Sequence, residues 1–160
     1  MDEQTRVIQN FFEKTLPDGG VRSEIINSEN YICSYRWQLT TDNNIGIWEL
    51  NQSSSHVILT ATSQKFKSFA KEKVIFLLNR LNYHNRRGTF FLTSEGTIYV
   101  ENWFFYRSNF YSEEEISSFI LDMREHVSLL HLAGENYFKN NLELEEAVEN
   151  AVQFQWKTDK

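Results

Sequence analysis

Three blocks of two-residue alternation, separated by short polar turns, fill residues 31–63 and restrict the fold more than any other feature. In YICSYRWQLT, Tyr31, Cys33, Tyr35, Trp37 and Leu39 fall on one side, and Ser34, Arg36, Gln38 and Thr40 on the other. A side-chain period of two belongs to a half-buried strand. The turn cluster TDNN leads into IGIWELN, and SSS leads into HVILTATS, where Val57, Leu59 and Ala61 face together. Strands joined by turns this short pair as an antiparallel meander, because parallel neighbours need a crossover of about a dozen residues.

Helical spacing appears on either side. From Glu3 to Leu16, Val7, Ile8, Phe11, Phe12 and Leu16 form one apolar face, ended by LPDGG. Proline cannot continue a helix, and glycine supplies turn dihedrals. VRSEIIN (Val21–Asn27) has the makings of a short strand. From Lys65 to Tyr83 the stripe is Ala70, Val74, Leu77, Leu78 and Leu81. RRG then turns the chain into TFFLTS, and Glu95-Gly96 joins that to TIYVENWFFY as a hairpin, with a positive φ expected at Gly96. In SEEE, Ser112 caps a third helix, Glu115 completes a capping box, and the glutamates suit the positive end of the helix dipole. Ile116, Phe119, Ile120, Met123, Val127, Leu130 and Tyr137 continue it, and Gly134 thins it for close packing. A further helix is expected over Leu142–Val152, followed by the tail FQWKTDK. The pattern predicts an α+β fold: an antiparallel five-stranded sheet with helices packed on one face. Residues 1–140 read as a single domain and 141–160 as a C-terminal helical extension and tail.

With 160 residues, 41% of them hydrophobic, the chain suits one domain with a sizeable core. Its 13 Phe, 7 Tyr and 4 Trp are too many for all to be inside. If helices cover one sheet face only, Trp48, Tyr99, Trp103 and Phe105 crowd the other. Such a patch marks an interface, with a second copy of the chain as the expected partner. The competing expectation is that the terminal helices, or the tail with Phe154 and Trp156, cover it. A net charge of -6 gives no overall attraction to nucleic acid. A single cysteine excludes an intrachain disulfide and suits a reducing compartment. MDEQTRV has no apolar signal core, and the longest apolar run is VIFLL (Val74–Leu78), far below a membrane span. A soluble cytoplasmic protein is expected.

The stretch LLNRLNYHNRRGTFFLTSEGTIYV resembles the YbjN-type family of candidate bacterial sensory transduction regulators. The resemblance rests on Asn79 and Asn82 at a helix end, then a strand, an acidic-Gly turn and another strand. Leu81 departs from the aromatic usual between the two asparagines. The resemblance implies the fold of type III secretion chaperones, in the order α-β-β-β-α-β-β-α, with the C-terminal helix as an addition. It also implies a small, dimeric, cytoplasmic protein that binds other proteins, and it carries over no catalytic residue. Asn82 is expected near the helix C-cap with left-handed dihedrals, and Asn79 bonded to the following turn, as structural splints.

Signals for chemistry are weak. Cys33 with His56 is conceivable as a nucleophile pair, but Cys33 lies in the apolar register of its strand, where a thiol is a small hydrophobe. His126 and His131 are five apart on a helix and point to different faces. No metal-ligand spacing or phosphate-cradling glycine loop occurs, so no metal or cofactor is expected. Glu101 is the one strand carboxylate flanked by aromatics. Lys65, Lys67, Lys71, Lys73, Arg80, Arg86 and Arg87 make residues 65–87 basic. The sequence therefore predicts a non-enzymatic protein-binding module, chaperone-like or adaptor. The alternative is a signalling regulator whose basic helix binds an acidic protein or RNA.

Overall fold

The structure is a computed structural model that describes residue 10 and residues 33–41, 44–52, 56–84, 88–105 and 112–158. Within these, the side chains of residues 33–41, 44–47, 52, 104, 105, 156 and 158 lie outside the description. The expected first helix (Glu3–Leu16), the strand VRSEIIN and the Arg86–Arg87 turn also fall outside the described residues. The strands are β1 (Cys33–Thr41), β2 (Asn44–Gln52), β3 (His56–Ser63), β4 (Gly88–Leu92) and β5 (Ile98–Phe105). The helices are α1 (Lys71–His84), α2 (Glu113–Phe138) and α3 (Leu144–Thr158).

The class is mixed α+β with an antiparallel sheet, in the spatial order β1-β2-β3-β5-β4. β5 lies between β3 and β4 and is antiparallel to both, so β3 and β4 run parallel. Parallel strands demand a crossover, which α1 supplies. The sheet register aligns Trp48, Ala61, Val100 and Phe90 across four strands. All four are buried, and with Leu50, Leu59 and Ile98 they form the sheet side of the core. Leu77 and Leu81 from α1, Met123 and Leu130 from α2, and Val148 and Ala151 from α3 fill the other side. α3 thus belongs to the same core as the residues before it.

Local chemistry sets the helix ends. Ser112 accepts from the Glu115 backbone at 3.2 Å, and Glu115 accepts from the Ser112 N–H at 2.9 Å, closing the capping box. Gly96 has φ 85° in the β4–β5 turn, as the hairpin requires. α1 begins at Lys71 and not at Lys65, because residues 64–70 form successive turns, with Lys67 N–H bonded to Gln64 and Phe69 N–H to Phe66. α3 extends to Thr158, through residues expected as tail. Its apolar face (Ala147, Val148, Ala151) packs in the helical layer, and Gln155 donates to the Glu125 carbonyl of α2.

Candidate functional site

Period-two alternation divides β5 into two lines. Ile98, Val100 and Asn102 face the helices; Tyr99, Glu101 and Trp103 face away. On the neighbouring β4, Phe90 points in and Phe91 points out. Phe91 stacks on Tyr99 with ring centroids 5.3 Å apart and planes 16° apart. Trp103 packs on His56 at 5.2 Å, and its indole N–H donates to Glu101. Phe91 and Trp103 remain 40% and 43% exposed. On the same sheet face, Asn51 of β2 and Ile58 of β3 are buried. Among the described residues of this face, the exposed aromatic rings, Phe91 and Trp103, lie on the β4–β5 hairpin.

Of the residues predicted to share an aromatic face, Tyr99 and Trp103 lie together on it. Trp48 does not: it is 3% exposed and lies in the core on the helix side, aligned with Ala61 and Val100. The period-two pattern gave its alternation with Ile45 and Ile47 but not which line faces the helices. Phe105 pairs in register with His56, and its side chain lies outside the described residues. Phe91 belongs in this group, and its alternation with buried Phe90 in TFFL was the available signal.

A second apolar surface was missed. The buried side of α1 is Val74, Leu77, Leu78 and Leu81. Ile75, Phe76 and Tyr83 are 44%, 58% and 77% exposed. At 100° per residue these three, with Glu72 and Asn79, make a stripe diametrically opposite the buried one. The signal was VIFLL itself, since no helix can bury five consecutive apolar residues on one side. The basic character of α1 is partly neutralised: Arg80 pairs with Glu145 of α3 and lies 5.1 Å from the Tyr83 ring centroid.

The two asparagines have different roles from those expected. Asn82 lies within α1, and among the described non-glycine residues the only positive φ is at Asn141, after α2. The Asn82 carboxamide reaches β4: its Nδ2 donates to the Phe90 carbonyl at 2.8 Å, and its Oδ1 accepts the Phe90 N–H at 2.7 Å. Asn82, not Asn79, fixes the helix to the hairpin. Asn79 sits exposed in the middle of the outer α1 stripe.

Buried polar pairs complete the interior. Ser63 Oγ lies 3.0 Å from His131 Nε2, with the two residues 4% and 6% exposed. His126 Nδ1 donates to the Asp122 carbonyl one turn back. The Cys33 backbone is in register with Gln52, and Gln52 with Val57; the Cys33 side chain lies outside the described residues. Lys65 bonds Glu135 at 2.8 Å, which holds the Glu135 carboxyl below its ordinary range against the opposing effect of burial, and Lys139 adds to the lowering. A carboxyl with a depressed folded-state pKa stabilises above the unfolded pKa, and the gain is lost as pH falls through the folded value. Glu135→Gln is therefore expected to lower the melting temperature at pH 7 by roughly 1–4 °C, since solvent reaching the Glu135 carboxylate screens the pair. The gap between variant and parent narrows below about pH 4. Melting curves at both pH values check it, and a gap that widens in acid contradicts it.

No protein-family model matches the chain, and no curated protein matches it in sequence. Solved structures do match its fold. An uncharacterized protein from Methanothermobacter thermautotrophicus superimposes with a TM-score of 0.58 at 12% identity, over 84% of this chain and 98% of that one. YbjN from E. coli, a candidate transcription regulator, superimposes with a TM-score of 0.56 at 10% identity, over 83% of this chain and 92% of that one. The fold is thus YbjN-like. Among the described residues, no helix is long and apolar enough to cross a membrane.

Proposed function

We propose that the chain is a non-enzymatic protein-binding module in a regulatory or adaptor role, working as a homodimer. The observation that carries the reading is the outer stripe of α1, where Ile75, Phe76 and Tyr83 face solvent behind a fully apolar inner stripe. Large exposed side chains aligned on a regular element mark association surfaces. A second copy suits this stripe because it is self-complementary when antiparallel. Glu72 stands at one end, and His84 and the sequence Arg86-Arg87 follow at the other. The hairpin surface of Phe91, Tyr99 and Trp103 then serves a client, since aromatic side chains dominate binding hot spots.

Two facts support a binding role over catalysis. Ser63 and His131 lie too deep to meet a substrate. YbjN, a fold neighbour, is a candidate transcription regulator. The reading in which residues 65–87 bind an acidic protein or RNA is weakened by the pairing of Lys65 with Glu135 and of Arg80 with Glu145.

Sedimentation of the purified chain over micromolar concentrations tests the dimer: a concentration-dependent dimer is expected, and a monomer at tens of micromolar overturns it. For the client surface, Trp103→Ala is expected to reduce recovery of proteins captured from native cells at least ~10-fold with the fold retained, because the ring is 43% exposed and lies outside the helix-side core. Charge reversal at Arg86 and Arg87 should leave that capture intact. Loss of capture on charge reversal, with none from Trp103→Ala, would favour the basic-helix reading instead.

A further inference from the structure

We propose that Asn82 is an edge plug: its carboxamide closes β4 against strand addition, and the strand it excludes is β4 of a second copy. Among the described residues, β4 is an edge strand in the sheet order and pairs with β5 alone. In an antiparallel pair, backbone groups alternate between pointing at the neighbour and pointing away. Phe90 stands opposite Val100, yet both its N–H and its C=O are bonded to Asn82, so they point outward. A side-chain carboxamide carries the same acceptor and donor as a peptide unit. Bonded to both groups at 2.7 and 2.8 Å, it occupies the place of one residue of a sixth strand.

The sequence of β4 explains why a plug is needed. GTFFLTS, Gly88–Ser94, is uncharged, rich in β-formers and free of proline. Segments of that composition on an edge are templates for pairing with another chain. A second copy is the natural occupant, because antiparallel pairing of two β4 strands about Phe90 is self-complementary and obeys two-fold symmetry. The plug matters more if α1 also pairs. One two-fold contact closes a dimer, but two different two-fold contacts on one chain generate an open-ended row. Asn82 thus confines association to one surface.

The test compares Asn82→Ala, Asn82→Asp and the double variant N82A/T89K with the parent, using light scattering over a concentration series and amide exchange at Phe90. Thr89 is an exposed β4 residue beside Phe90, and lysine on an edge strand opposes pairing. Asn82→Ala is expected to raise the fraction of larger assemblies at least ~10-fold and to speed Phe90 amide exchange at least ~100-fold in dilute solution. Asn82→Asp retains an acceptor for the N–H but no donor for the carbonyl, and should associate to an intermediate degree. N82A/T89K should disperse again without regaining stability. Gly134→Ala serves as a control that destabilises the chain and leaves the edge plugged. A folded Asn82→Ala with the parent's mass distribution overturns the proposal. So does Gly134→Ala assembling as strongly as Asn82→Ala, or Asn82→Asp matching the parent should Asn82→Ala not fold. The comparison is with the parent, so a monomeric parent would refute the α1 dimer while leaving this result readable.

Discussion

Gly134→Ala lowers the melting temperature by roughly 2–8 °C, the reverse of what helix propensity alone demands. Alanine in place of a mid-helix glycine normally stabilises by up to ~1 kcal/mol. At Gly134 a Cβ would overlap Cζ of Phe66, well inside contact distance. A flexible side chain would swing aside, but Phe66 is 1% exposed and boxed in. His131 meets it edge-on at 6.2 Å, Phe138 lies 5.4 Å away, and Phe69 closes the third side at 6.2 Å. Moving the ring disturbs the turns of residues 64–70 that connect β3 to α1. Forcing atoms into a packed core costs ~1–3 kcal/mol or more, which outweighs the propensity gain. Phe66→Leu in the Gly134→Ala background should recover part of the loss, so the two substitutions are strongly non-additive. Melting of the four combinations measures this. A Gly134→Ala protein at least as stable as the parent would show that Phe66 does not depend on the missing methyl.

Much of this arrangement is legible in the sequence, and the gaps have physical causes. Strand spans follow from alternation and turn chemistry, and HVILTATS is β3 from end to end. The capping box of α2 was readable because its signal is local: a hydroxyl and a carboxylate three residues apart. Gly134 could be marked as a point of close packing, but its partner Phe66 lies 68 residues earlier in the chain, in a segment whose period looked helical. The same limit explains Trp48. Alternation separates the two faces of a strand without saying which one the helices cover, and only the register to Ala61 and Val100 decides that. Asn82, expected as a helix cap, makes the link to the hairpin that was expected of Asn79, for a related reason. A helix-end rule considers only neighbouring backbone, whereas the groups that Asn82 satisfies belong to an edge strand eight residues on. The outer stripe of α1 is hidden by its neighbour: Val74, Leu77, Leu78 and Leu81 already satisfy the helical period, and that period alone does not say whether Ile75 and Phe76 are covered.

Phe76→Asp abolishes self-association at micromolar concentration, raising the dissociation constant at least ~100-fold, while the fold persists. The size follows from symmetry. A two-fold axis passing between Asn79 and Arg80 sets Phe76 of each copy against Tyr83 of the other, so one substitution places two carboxylates in the contact. An unpaired charge taken out of water costs several kcal/mol. The fold is spared because Phe76 is 58% exposed in the single chain and contributes nothing to the core. Circular dichroism and melting should therefore be nearly those of the parent. Asn79 discriminates further. It lies at the centre of the stripe, where a polar residue weakens an apolar helix pair but fixes its register, as a buried asparagine does in a coiled coil. Asn79→Leu should tighten association and broaden the distribution of assembly sizes, an effect opposite in sign to that of Phe76→Asp. If neither substitution changes the sedimentation profile, the α1 stripe is not where two copies meet. If Asn79→Leu weakens association, its amide adds attraction to the contact and does not merely set the alignment of the two helices.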